Sequence, residues 1–131
     1  IAWWAKIAAD PQHEEYASGV QFTKLRKVVF SEPFDGVEGT HTEFNQGDLL
    51  EEINRLKQQE GKDMIVYGGE EFVSTLIEYG LIDEFHLFIN PAVLPDGRPI
   101  FHKLEGKQNF TLKDSRAFPC GIVLLNYVIG E

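Results

Sequence analysis

At 131 residues the chain fits one domain, long enough to bury about two thirds of the surface its unfolded form exposes. Its net charge of −9, with 12 Lys and Arg against 21 Asp and Glu, argues against nucleic acid as a partner, because duplex electrostatics reward a basic face. The single cysteine, Cys120, excludes an internal disulfide. No apolar run approaches bilayer length and no signal-peptide pattern opens the chain, so a cytoplasmic protein without a membrane partner is expected.

The chain opens on Ile-Ala-Trp-Trp-Ala-Lys-Ile-Ala-Ala without a starting methionine. Trp3, Trp4 and Ile7 form an apolar stripe if this stretch is helical, and such a stripe at a true terminus would expose costly surface, so further sequence upstream is expected. Residues 10–23, polar with isolated aromatics, read as a loop with a helical turn. Residues 27–31 (Lys-Val-Val-Phe-Ser) read as a short strand by β-branched content, ended by Glu32-Pro33. Residues 32–40 read as a loop and residues 40–44 as a weaker second strand.

Asp48 is a good helix N-cap, with Glu51 three residues on as in a capping box. Leu49, Leu50, Ile53 and Leu56 give that helix a buried stripe, and Gly61 ends it. Residues 64–67 (Met-Ile-Val-Tyr) form an apolar run of strand length, whereas Phe72, Val73, Leu76, Ile77 and Leu81 recur at helical spacing. The period changes across Gly68-Gly69, which predicts a strand-turn-helix unit. Two readings fit the pair. It makes a turn, or it lets an anion reach the first helical amides, which lack intrahelical acceptors and sit at the positive end of the helix dipole. Glu70 and Glu71 suit that dipole without a ligand, and would repel a phosphate unless their side chains turn away.

Gly80 is a C-cap candidate. Residues 83–91 then read as a long strand with Phe85, Leu87 and Ile89 on one face and His86 and Phe88 on the other. Residues 110–116 alternate, residues 120–129 are nearly continuously apolar, and a hairpin through 117–121 joins them. The order β, weak β, α, β, α, β, β, β predicts one mixed sheet with parallel crossovers, flanking helices and a closing antiparallel hairpin.

Nucleophile and metal signals are weak. Ser18, Ser31, Ser74 and Ser115 lack a glycine-elbow context, and Cys120 at a strand start reads as packing. His13, His41, His86 and His102 show no metal-ligand spacing, so no metal is expected. Asp83-Glu84 read as solvated or capping groups. Ser31 stands out because it closes one apolar strand as Tyr67-Gly68 closes the next, and ligands of open α/β sheets collect outside strand carboxyl ends.

The runs Lys-Val-Val-Phe-Ser (27–31), Gly-Asp-Leu (47–49), Gly-Lys-Asp-Met-Ile-Val-Tyr-Gly-Gly (61–69), Gly-Leu-Ile-Asp-Glu (80–84), Pro-Ala-Val-Leu (91–94) and Ile-Phe (100–101) occur in one order. From Lys27 onward the chain resembles the dihydrofolate-reductase-like family that includes the reductase domain of bifunctional riboflavin-pathway deaminase-reductases. The resemblance implies an α/β fold with a mixed, mainly parallel sheet flanked by helices and a C-terminal antiparallel hairpin. It implies a single reductase-like domain over residues 1–131 lacking its N-terminal strand region, NADPH as cofactor, and a homodimer, for which the apolar C-terminal strand also argues.

By the same resemblance Ser31 approaches the adenosine end of the cofactor. Gly68 and Gly69, with the backbone amides of Glu70, Glu71 and Phe72, hold its diphosphate, the glycine pair being cis-linked in dihydrofolate reductases. Tyr67 stands where the riboflavin-pathway reductases carry a substrate-binding glutamate, so the resemblance stops short of a pyrimidine ribityl phosphate substrate. The family's upstream Gly-Arg-Thr-type motif would lie before Ile1. The reading is an NADPH-dependent reductase passing hydride to a small heterocyclic or carbonyl-type substrate, with Tyr67 facing the substrate and no catalytic residue assigned. The alternatives are a non-catalytic nucleotide-binding or dimerisation module of this fold, and a dihydrofolate reductase.

Overall fold

Helix α1 (Ala2–Ala8) and helix α2 (Tyr16–Lys24) open the chain in a computed structural model that describes residues 1–130. The protein divides into two units, Ile1–Glu52 and the chain from Ile53 onward. In the first, Ile7 is buried against α2, and a Cβ on Gly19 would lie 2.7 Å from Ile7 Cγ2, so only glycine lets the two helices come this close. Trp4 stacks on Phe22 at 5.3 Å while Trp3 stays exposed. Helix α2 corrects the loop expected over residues 10–23. Gly19 and Ser18 weaken the local helical signal, and packing on α1 supplies what propensity does not.

Lys27 closes the end of α2, its Nζ donating to the carbonyls of Phe22, Thr23 and Leu25 at 2.8, 3.2 and 2.6 Å. Strand β1 (Lys27–Phe30) follows and pairs in parallel with β2 (Thr42–Asn45), with Lys27 opposite Thr42 and Phe30 opposite Asn45. Arg26 reinforces the pair by a two-pronged ion pair with Glu43, both bonds at 2.9 Å, at an exposed position where such pairs contribute little. The second strand lies one to two residues later than expected. Thr40 is buried and hydrogen-bonded to Val37 and Thr42 before the ladder starts.

Helix α3 (Leu49–Lys57) begins as expected, the Asp48 carboxylate accepting from the Glu51 amide at 2.9 Å. Its stripe is thinner than expected, with Leu56 buried and Leu50 exposed. In the second unit, helix α4 (Glu70–Glu78) buries Ser74, Leu76 and Ile77. It ends in a Schellman motif: the Gly80 amide donates to Ile77 at 3.0 Å, the Leu81 amide to Leu76 at 2.9 Å, and Gly80 takes φ +63°.

Strands β3 (Glu84–Ile89), β4 (Phe110–Ala117) and β5 (Val123–Ile129) form an antiparallel sheet in the order β3-β5-β4. The β4–β5 hairpin turns at residues 118–122, where Gly121 adopts φ +90°. Phe85 meets Phe110 at 5.1 Å and Phe101 at 5.8 Å, and with Leu76, Ile77 and Leu81 this cluster is the core of the unit.

Four sequence expectations fail here. Residues 64–67 do not form a strand. They run without ladder pairing, Ile65 85% and Tyr67 79% exposed, because apolar β-branched content makes a strand only where a neighbour offers hydrogen bonds. Among the described residues the strands therefore form a parallel pair and an antiparallel three-stranded sheet, in place of one mainly parallel sheet. Strand β5 is central in its sheet, so its apolar character reflects two neighbours and no longer argues for a dimer. Cys120 is exposed in the hairpin turn instead of packed. No helix among the described residues is long and apolar enough to cross a membrane.

Candidate functional site

The start of α4 brings together most of the residues singled out in the sequence. Gly69 is its N-cap, with extended backbone (φ −71°, ψ 168°) and no side-chain cap, and its carbonyl accepts from the Val73 amide at 3.1 Å. The first amides of a helix have no intrahelical acceptor, so this start presents donors at the positive end of the dipole.

The two glycines are there for different reasons. A Cβ on Gly68 would lie 2.8 Å from Phe72 Cδ1, so any larger residue there would have to displace the Phe72 ring. A Cβ on Gly69 would meet nothing within 4 Å, and its φ is one any residue adopts. Glycine at 69 is thus not required by packing within the protein, and it stands at an N-cap, where glycine is tolerated. The Gly68–Gly69 peptide is trans, unlike the cis linkage of dihydrofolate reductases.

Glu70 and Glu71 are turned toward residues 98–103. Glu70 lies 3.3 Å from His102 Nδ1 and 3.7 Å from the Arg98 guanidinium. Glu71 lies 3.0 Å from Lys103 Nζ and 3.7 Å from His102 Nε2. The Lys103 hydrogen bond and charge hold the Glu71 carboxyl below its ordinary range and, reciprocally, raise the Lys103 ammonium.

Beneath them Ser74, fully buried, donates to the Ile100 carbonyl at 2.8 Å and lies 3.2 Å from His102 Nδ1. His102 Nδ1 is also 2.9 Å from the Pro99 carbonyl. Lys103 donates further to Thr75 Oγ1 at 2.8 Å. Residues 98–103 are thereby pinned along the first two turns of α4.

The donor atoms of Glu70, Glu71 and His102 lie within 4.8 Å of one another, a closeness that sequence spacing did not reveal. Lys103 and Arg98 already balance these carboxylates, and no ion is assigned there. The sequence also missed Arg98, His102, Lys103 and Ser74 as parts of this region, because the two segments are nearly thirty residues apart. The signal that could have found them is three basic or imidazole side chains flanking Pro99-Ile100-Phe101 in an acidic chain.

Tyr67 stands exposed before the glycine pair. Ser31, in the first unit, follows β1 and donates its hydroxyl to the Glu32 carbonyl at 2.9 Å. That unit also holds an open cavity of about 550 Å³ lined by Phe34, Phe44, His41 and Glu38 among others. Its lining includes neither Lys nor Arg, which does not suit a multiply charged anion.

Asp83 pairs with Lys57 at 2.6 Å, and Glu84 accepts from Asn126 and Lys113 at 2.8 and 3.1 Å. Both are engaged in pairs, where the sequence suggested solvated or capping groups.

Residues 5–124 match the RibD C-terminal domain, and the chain belongs to that family.

It is 35% identical over 121 residues to the uncharacterised protein YyaP of Bacillus subtilis, covering 89% of this chain and 64% of that one. It is 33% identical over 100 residues to the uncharacterised YwjB of the same organism, covering 76% of this chain. The chain thus spans 64% and 57% of the lengths of these two relatives.

Its fold is similar to that of a putative riboflavin biosynthesis protein from Shewanella sp. PV-4, with a TM-score of 0.67 at 17% identity over 98% of this chain and 87% of the other. It is also similar to that of a pyrimidine reductase-like protein from Corynebacterium diphtheriae, with a TM-score of 0.57 at 16% identity over 93% of this chain and 57% of the other.

Proposed function

We propose that the protein is an NADPH-dependent reductase that passes hydride to a small heterocyclic or carbonyl-type substrate. The observation that carries this reading is the start of α4, where Gly69 offers neither a side-chain cap nor a packing need for glycine. Membership of the RibD C-terminal domain family supports it.

A dinucleotide fits the donor set at α4. Gly69 leaves room for a diphosphate to reach the amides of Glu70, Glu71 and Phe72, and the helix dipole favours the negative charge. Gly68 keeps the turn open beside Phe72. NADPH supplies the hydride, so the protein's work is to bind and orient it. Ser31 is assigned by the family resemblance to the adenosine end. Tyr67, exposed before the glycine pair, is assigned to the substrate side. A homodimer in the cytoplasm completes the proposal.

Glu70 and Glu71, which would repel a phosphate if they faced it, favour the alternative of a non-catalytic module. The pairing of both carboxylates with residues 98–103 weakens it. Titrating the full-length protein with NADPH and following nicotinamide fluorescence tests the proposal. Saturable binding, with NADPH oxidised when a heterocyclic or carbonyl acceptor is added, is the expected result. An unchanged signal at millimolar NADPH would overturn it.

A further inference from the structure

We infer that Lys103, with Arg98, is a positioning element that makes the start of α4 competent for an anion by drawing the Glu70 and Glu71 carboxylates off it. The inference rests on the nucleotide reading given above and assigns a role to residues that this reading leaves unused.

The problem these residues solve is electrostatic. Two carboxylates in a first helical turn satisfy the same dipole that a diphosphate would use, and they repel the diphosphate as well. At α4 the N-cap is Gly69, which brings no side chain to the helix start, and both carboxylates are paired with residues 98–103. Glu71 is held at 3.0 Å by Lys103, whose Nζ is itself fixed by Thr75 Oγ1 at 2.8 Å. Glu70 lies between His102 Nδ1 at 3.3 Å and Arg98 at 3.7 Å.

The arrangement is anchored from below. Ser74 is fully buried and ties the Ile100 carbonyl to the helix at 2.8 Å, which fixes where residues 98–103 stand. Lys103 is the firmer partner, its side chain 28% exposed, whereas Arg98 is 84% exposed and more loosely held. Lys103 therefore neutralises and orients Glu71, and Arg98 does the same for Glu70 less tightly. The charged groups around Glu71 are Lys103, His102 and Arg98, and those around Lys103 include Glu71, Glu78 and Glu70.

The test is calorimetric titration of NADPH into the full-length wild type, K103M, E71Q and K103M/E71Q. With Lys103 gone, an unpaired Glu71 swings free beside the phosphates, and K103M is expected to weaken NADPH about threefold to tenfold. Removing the freed charge in K103M/E71Q is expected to restore affinity to within about twofold of wild type, with E71Q alone binding at least as well as wild type. A merely structural role for Lys103 would not be rescued by a second substitution, and a direct Lys103–phosphate contact would leave the double variant weak. Either outcome overturns the inference, as does K103M binding like wild type. A wild type that does not bind NADPH overturns the proposed function and this inference together, whereas wild-type binding with an unshifted K103M overturns the inference alone.

Discussion

Helices α3 and α4 each carry two glutamates in the first turn, yet their starts are closed in different ways. At α3 the residue ahead of the helix is Asp48, whose carboxylate accepts from the Glu51 amide at 2.9 Å, and Glu52 accepts from Asn45 at 2.7 Å. The start is satisfied by its own neighbourhood. At α4 the residue ahead is Gly69, which has no side chain to accept with, and both glutamates reach away to Arg98, His102 and Lys103. The two starts are therefore not equivalent: at α3 the side chain ahead of the helix closes it, whereas at α4 no side chain stands at the N-cap and the glutamates pair with residues 98–103.

The sharpest way to break this contrast is to give α4 the cap that α3 has. G69D adds a favourable N-cap at a position with open space, so folding stability should hold or rise by a few tenths of a kcal/mol. The added carboxylate should occupy the amides and repel phosphate, lowering NADPH affinity by about a hundredfold. Thermal melting beside ligand titration separates the two effects.

G68A should do the opposite. Its Cβ would press on Phe72 at 2.8 Å, costing about 1–3 kcal/mol in a denaturant melt. D48A should remove the α3 cap and cost about 1 kcal/mol, with NADPH affinity unchanged. A loss of affinity in D48A would show that the two helix starts are not independent.

The smallest effect is in pH. Glu71 has its pKa depressed in the folded protein by Lys103, so their pair adds stability above the unfolded carboxyl value of about 4.3 and loses it as pH falls through the lower folded value. Melting temperatures of wild type and E71Q should therefore differ slightly near neutrality and converge in acid. Wild type gaining on E71Q as pH falls would contradict the assignment.

Much of this contrast was legible in the sequence. Asp48 with Glu51 announced the α3 cap, the change of period at Gly68-Gly69 announced the start of α4, and Gly80 announced its end. What could not be read depends on non-local partners. Residues 64–67 have strand composition, yet composition does not specify a neighbour, and Ile65 and Tyr67 stand exposed. Helix α2 was hidden because Gly19, poor in helix propensity, is needed for the close approach to Ile7. The orientation of Glu70 and Glu71 was left open by local chemistry, because Lys103 and His102 reach them only through the fold.

The account stands most directly on one calorimetric comparison, NADPH titrated into the full-length wild type and into G69D. Saturable binding to the wild type that is lost in an equally stable G69D is the predicted result. No binding to the wild type at millimolar NADPH, or equal affinity in the two proteins, would contradict the claim that α4 opens on the cofactor's diphosphate.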